Sequence, residues 1–208
     1  MPTDKRTTGR PTREQAQQIN DLVLTGAREA FCCRGIDGTS MEEIAAAVGV
    51  SKHTIYRRYP GKMALLDAVV TRDLERLAEA FVEGDGAENP LASLKRASRH
   101  FFGFCLSPDN VRFMAFLTSE AAYSEELRTR FAAWNRIMSA PMLDRIRHAQ
   151  AAGLLRQADP TCLYHLLGDL LDGPTRRLQF GLPDPFCGLS PDAFFEERWR
   201  VFLRDAAM

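Results

Sequence analysis

The stretch TSMEEIAAAVGVSKHTIYRRYPGK, residues 39–62, decides the reading of this chain. Ser40 suits a helix N-cap, and Glu43 three residues later completes a capping box. Met41, Ile44, Ala45 and Val48 recur at helical spacing and make one apolar stripe. Gly49 ends that short helix, because glycine takes a left-handed backbone at little cost. Val50 is the apolar residue expected under the turn, and Ser51 caps a second short helix over 52–58. Two helices joined so tightly cross steeply, which lets the second stand clear of the surface. It carries Lys52, His53, Thr54, Tyr56, Arg57 and Arg58, and residues 51–62 hold four cations and no acid. Donors of this kind contact phosphates and base edges. The plainer alternative is a helical hairpin with a solvated basic face. Against it, the second helix is too short to bury much apolar surface.

The same residues carry a family resemblance. The run Ala30-Phe31, Gly35, Thr39-Ser40-Met41, Glu43-Ile44-Ala45, Gly49-Val50-Ser51, Thr54-Ile55-Tyr56, Tyr59, Lys62 and Leu65-Leu66 resembles the DNA-binding domain of the TetR (tetracycline repressor) family of bacterial regulators. The likeness covers about residues 13–70. Two positions depart from it: the family usually has glycine where this chain has His53, and often phenylalanine where it has Tyr59. The resemblance therefore does not carry over the operator sequence. It implies that Lys62, in the first turn of the next helix, clamps a phosphate alongside the backbone amides there.

Composition adds bounds. A chain of 208 residues holds one large domain or two small ones, and 45% hydrophobic content is ample for a packed core. Net charge is zero but uneven: residues 1–72 hold 11 Lys and Arg against 8 Asp and Glu, and the remainder 16 against 19. A basic end joined to an acidic end fits a protein whose first third meets phosphates. Cys32, Cys33, Cys105, Cys162 and Cys187 are odd in number and lack metal-type spacing, which argues against a disulfide framework or a zinc site. Most are expected to be small buried residues, with Cys105 or Cys162 as the candidates for a thiol sensor. No signal peptide and no bilayer-length apolar run are visible, so the cytoplasm is the expected location and no membrane partner is expected.

Taken in order, residues 1–12 form a polar arm made basic by Lys5, Arg6 and Arg10. Gly9-Arg10-Pro11 is either an arm that enters a narrow minor groove or an ordinary tail. Residues 13–61 form the helix-turn-helix domain, its first helix burying Ile19, Leu22, Val23, Ala27, Ala30 and Phe31. Residues 62–208 form a larger helical domain. The fourth helix, from 62 to about 83, buries Leu65, Leu66, Val69, Val70, Leu77 and Phe81. Later helices carry Leu94, Ala97, Phe101, Phe104 and Cys105, then Phe113, Met114, Phe116 and Leu117, then Leu127, Phe131, Trp134, Met138, Met142 and Ile146. Pro141 should kink or break its helix, and Gly173-Pro174 should bend the next. The expected fold is all-α, with about nine helices and no strands.

In the last two helices Leu166, Leu170 and Leu171, with Phe195, Trp199 and Phe202, exceed what a thin helical domain is expected to bury, and so suggest an interface. The resemblance implies the same: a homodimer through the last helix pair, reading a palindromic double-stranded DNA operator. The large soft residues Phe104, Phe113, Phe116, Trp134 and Met138 either form ordinary core or line a cavity. The resemblance favours a small apolar or aromatic effector there. His165 and Asp169, one turn apart, either join that site or form a satisfied pair. There is no Gly-x-Ser-x-Gly elbow, phosphate-binding glycine loop or HExxH, so no enzyme, cofactor or metal is expected.

The resulting expectation is a ligand-responsive dimeric repressor. Thr39, Ser40, Thr54, Tyr59 and Lys62 meet phosphates, Lys52, His53, Tyr56 and Arg57 reach base edges, and Ser51 and the arm's Arg10 are further expected DNA contacts. The alternatives are a ligand-independent or thiol-responsive DNA-binding regulator, and a ligand-binding protein with a vestigial helix-turn-helix.

Overall fold

The structure, a computed structural model, describes residues 12–82 and 89–207. Among the described residues there are nine helices: α1 Arg13–Arg34, α2 Met41–Ala47, α3 Lys52–Arg58, α4 Lys62–Val82, α5 Pro90–Leu106, α6 Pro108–Tyr123, α7 Glu125–Ala151, α8 Pro160–Gln179 and α9 Pro191–Ala206. Extended pairing among them is limited to an isolated bridge between Leu155 and Ala207. None of these helices is long and apolar enough to cross a membrane. The chain divides into two compact units, residues 1–69 and 70–208, and α4 is continuous across the division. The expected arm, Arg10 included, lies outside the described residues.

In the first unit local chemistry sets the helix ends. Thr12 and Gln15 form a capping box on α1, and Ser40 and Glu43 form the expected one on α2. Ser51 accepts from Thr54 N at 3.1 Å and starts α3. Gly49 takes φ +73°, which lets Val50 N turn back to Ala45 O at 2.9 Å. Gly26 is needed for a different reason: a Cβ there would meet Val48 Cγ1 at 2.5 Å, so α1 packs closely on the end of α2. The core of the unit is Val23, Leu24, Ala27 and Phe31 of α1, Met41, Ile44 and Ala45 of α2, Ile55 of α3, and Leu65 and Leu66 of α4. Leu22, expected in this core, is 57% exposed, and its neighbour Leu24 is buried instead. The apolar positions of α1 are crowded enough that spacing admits either residue.

In the second unit α5 packs on α7, α7 on α8 and α8 on α9. One apolar cluster runs through Leu94 and Phe102 of α5, Met142 and Ile146 of α7, Leu163 and Leu167 of α8, and Phe194, Phe195, Trp199 and Phe202 of α9. Phe102 stacks on Phe194 at 6.1 Å between ring centroids, and Phe195 on Trp199 at 6.4 Å. The Arg99 guanidinium lies 4.6 Å from the centroid of the Phe195 ring and pairs with Asp192 and Glu196.

Three expectations are corrected here. Phe195, Trp199 and Phe202 are 0%, 4% and 0% exposed and Leu171 is 5% exposed, so these four belong to the core and form no outer face. The helices around α9 bury more aromatic surface than a thin layer suggests. On α5, Phe102 is the buried ring, whereas Phe101 is only half-buried. The break that was one alternative at Pro141 does not occur: α7 runs on through it, as α8 does through Pro174. The lost hydrogen bond and ring clash, about 3 kcal/mol, are outweighed by packing on both sides, including buried Met142 and Ile146 after Pro141 and Leu171 before Pro174.

Candidate functional site

The outward face of α3 is held in place by two inward residues. Ile55 is 1% exposed and Tyr59, just past the helix, is 8% exposed. With these as anchors, Lys52, His53, Tyr56, Arg57 and Arg58 are exposed and Thr54 is half-buried. The structure thus brings the expected base-reading residues Lys52, His53, Tyr56 and Arg57 onto one helix surface. The N-caps Ser40 and Ser51 start the two helices of the motif. Ser51 Oγ and Thr54 Oγ1 also share a hydrogen bond at 2.8 Å. Lys62 Nζ donates to Ile36 O at 2.6 Å, tying the first turn of α4 to the loop after α1.

Two expected phosphate contacts are engaged inside the unit instead. Thr39 is 3% exposed, and its hydroxyl lies 2.7 Å from Gly35 O and 3.2 Å from Ala30 O. Tyr59 donates its hydroxyl to Asn20 Oδ1 at 2.5 Å. Both hydroxyls therefore satisfy buried groups, which corrects the expectation that they face DNA. A cleft of about 230 Å³ between α1 and α3 lies beside Tyr59, bordered also by Asn20, Thr54, Arg57 and Arg58. Asn20 escaped sequence reading because a polar residue on an amphipathic helix is assigned to solvent by default.

The acid that faces this basic surface comes from α2. Glu42 Oε1 lies 2.5 Å from Lys52 Nζ, and Tyr56 donates to the same carboxylate. The hydrogen bond from Lys52 holds the Glu42 carboxyl below its ordinary value, and Glu42 in turn raises the Lys52 ammonium. A count of charges along residues 51–62 misses Glu42 because it lies ten residues before Lys52.

The second unit contains a cavity of about 80 Å³. Val70, Asp73 and Leu74 of α4 form one wall, Phe104 of α5 and Asn110, Phe113, Met114 and Leu117 of α6 another, and Phe131, Trp134, Asn135 and Met138 of α7 the third. Phe104, Phe113, Trp134 and Met138 are therefore brought together as expected from their size and spacing. Phe116 stands behind the wall, its ring 5.7 Å from that of Phe113. His165 and Asp169 are exposed on α8 and border no part of this cavity, which corrects their assignment to it. Asn110 Nδ2 donates to Phe104 O at 2.7 Å, and Asp73 pairs with Arg72 at 3.3 Å. Sequence reading did not single out Arg72 and Asp73, although they interrupt an apolar stretch of α4. A wider apolar groove of about 300 Å³ between α4 and α7 shares Leu74 and Met138 with the cavity.

The cysteines are mostly not core. Cys33, Cys162 and Cys187 are exposed, correcting the expectation of burial. Cys105 is half-buried as a residue, yet burial of its thiol, with a smaller contribution from the Asp172 charge, pushes it up to about 12. Such burial works against the thiolate, the form that a reactive sensor needs. Among the described residues no three His, Cys, Asp or Glu side chains are grouped to hold a metal ion.

Comparison with known proteins bears on this arrangement directly. Residues 23–69, which contain α2, α3 and the turn between them, match the family described as bacterial regulatory proteins, tetR family. The transcriptional repressor AcnR of Corynebacterium diphtheriae is 26% identical over 160 residues, covering 76% of this chain and 80% of AcnR. A TetR family transcriptional regulator from Pseudomonas syringae shares the fold with a TM-score of 0.70 at 22% identity, covering 92% of this chain and 97% of that one. AibR, solved in complex with isovaleryl coenzyme A and operator DNA, shares it with a TM-score of 0.64 at 22% identity, covering 88% and 97%. Residues 23–69 thus carry the DNA-binding segment of the tetR family of bacterial regulatory proteins, and the chain is similar over three quarters of its length to a transcriptional repressor.

Proposed function

We propose that this regulator is a cytoplasmic repressor that binds a palindromic operator as a two-fold dimer and is released by a small apolar or aromatic ligand. The observation that carries the ligand switch is the cavity in the second unit. Its volume of about 80 Å³ is well below that of small-molecule sites, which run from about 300 Å³ upward. An effector therefore has to move a wall. One wall is α4, through Val70, Asp73 and Leu74, and the same helix begins at Lys62 in the DNA-binding unit. A ligand that fits best when α4 is displaced favours the state less able to hold the operator. Its effect on DNA affinity is limited by its differential affinity for the two states. That AibR is described with both an acyl thioester and operator DNA supports a regulator of this design.

On this reading Lys52, His53, Tyr56 and Arg57 reach base edges, while Ser40, Ser51, Thr54 and Lys62 meet phosphates. Arg10 is the proposed minor-groove contact. With Leu171, Phe195, Trp199 and Phe202 assigned to the core, the proposed dimer uses the outer faces of α8 and α9, where Leu166 and Leu170 are half-buried. The test begins with binding to DNA flanking the gene at two salt concentrations, followed by a screen of aromatic and aliphatic compounds for thermal stabilisation. Tight, salt-dependent binding that a stabilising compound releases is the expected result. A compound that saturates the cavity yet leaves operator affinity unchanged would rule out the switch.

A further inference from the structure

Glu42 belongs to α2, yet its carboxylate reaches the reading face of α3. Lys52 Nζ lies 2.5 Å from Glu42 Oε1. Tyr56 Oη donates to the same group, 3.3 Å from Oε1 and 3.5 Å from Oε2. Lys52 Nζ is also 5.6 Å from the centroid of the Tyr56 ring, so the three side chains form a closed group. All three residues are exposed, on the surface expected to meet a groove.

We propose that Glu42 is a specificity-determining residue of this DNA face: it holds Lys52 and Tyr56 in one arrangement, lowers affinity for non-cognate DNA, and with Lys52 favours a G·C pair. The inference rests on the assignment of α3 as the reading helix. Non-specific affinity grows with the number of phosphates neutralised by cations. A lysine drawn from Glu42 to a phosphate gains one ion pair and gives up another, and it leaves a bare carboxylate beside the DNA anions. A cognate base pair changes that balance. Guanine offers O6 and N7 as acceptors to a lysine, and cytosine offers its N4 amino group to a carboxylate. Lys52 and Glu42 together present the complementary donor and acceptor. An A·T pair in one orientation presents thymine O4 and a methyl group where the carboxylate needs a donor.

The test compares the full chain with Glu42→Ala and Glu42→Gln. Each is passed through selection from random duplexes, then measured on its best site and on a scrambled duplex at several salt concentrations. Glu42→Ala is expected to bind scrambled DNA more tightly, with a salt slope steeper by about one. Its ratio of specific to non-specific affinity should fall roughly tenfold, the discrimination of one base-edge contact. Its selected sites should lose a G·C preference at one position per half-site. Glu42→Gln, which keeps an acceptor but not the charge, should raise non-specific binding while retaining part of that preference. Equal effects of Glu42→Ala on both duplexes, with an unchanged selected sequence, would overturn the proposal. Lys52→Ala and Arg57→Ala separate the two levels. If both weaken DNA binding while Glu42→Ala keeps the ratio, only the role of Glu42 fails. If neither affects DNA binding, the reading of α3 fails and this inference with it.

Discussion

Tyr59 donates its hydroxyl to the side-chain oxygen of Asn20, 2.5 Å away, joining the end of α3 to the middle of α1. Both residues are buried, at 8% and 9% exposure. The bond ties the end of α3 to α1 through two buried groups, so its first expected effect is on stability. Tyr59→Phe removes only the hydroxyl and takes this donor from a buried oxygen, which costs about 1–3 kcal/mol. Urea unfolding should show that loss, while DNA affinity of the folded protein stays within about twofold, since no phosphate contact is removed. A large loss of DNA affinity at unchanged stability would mean that the hydroxyl leaves Asn20 for the DNA.

The ring of Phe202 is completely buried against α9 neighbours, including Trp199 at 5.4 Å between centroids. Phe202→Ala should therefore destabilise the protein by about 3–5 kcal/mol. The loss should persist under conditions in which the protein is monomeric. Leu170→Glu, on the half-buried outer side of α8, should instead weaken self-association with a smaller effect on the fold. Sedimentation and denaturant unfolding distinguish the two. A Phe202→Ala protein of normal stability that merely fails to dimerise would return this residue to the interface.

The cysteines should divide by reactivity. Cys33, Cys162 and Cys187 are exposed, and Cys105 has its thiol pushed up to about 12. Alkylation of native protein near pH 8, about the ordinary thiol range, should label the three exposed residues first and spare Cys105 until unfolding. Peptide mapping of a time course measures this. Early labelling of Cys105 would show that the thiol becomes accessible in the native state.

Glu196 accepts from Lys95 at 2.7 Å and pairs with Arg99. The Lys95 hydrogen bond, followed by the charges of Lys95 and Arg99, holds its carboxyl below the ordinary value of 4.5 despite an opposing desolvation. The stability from this pairing is fully present above that ordinary value and is lost as pH falls through the lowered one. Because the pair is partly exposed, Glu196→Gln should cost only about 0.5–1 kcal/mol at neutral pH. The difference from the parent should shrink toward zero in acid. A constant difference between pH 7 and pH 3, in about the range where carboxylates titrate, would count against the ion pair as its source.

Much of the DNA-binding unit was legible locally. Ser40, Glu43, Gly49 and Ser51 act on their own backbone within a few residues, so cap and turn chemistry could be read in order along the chain. The apolar face of α4 was also legible, because Leu65, Leu66, Val69, Val70, Leu77 and Phe81 keep one helical period and are all buried. Size and spacing grouped Phe104, Phe113, Trp134 and Met138 as either core or cavity lining, and all four border one cavity.

Partners distant in sequence were not legible. Asn20 and Tyr59, 39 residues apart, meet only because α1 and α3 pack. Glu42 reaches Lys52 and Tyr56 only because α2 crosses α3, and this places an acid on a face that looks purely basic in sequence. Phe195, Trp199 and Phe202 are ambiguous in sequence, because an apolar stripe is the same whether it is covered by its own chain or by another. The sequence by itself determined the helices, their ends and the helix-turn-helix motif, since these depend on backbone conformation and short-range spacing. Only the tertiary structure decided which hydroxyls are buried, which aromatics form core and which carboxylate meets Lys52 and Tyr56 on α3, because burial and charge pairing depend on how distant helices pack.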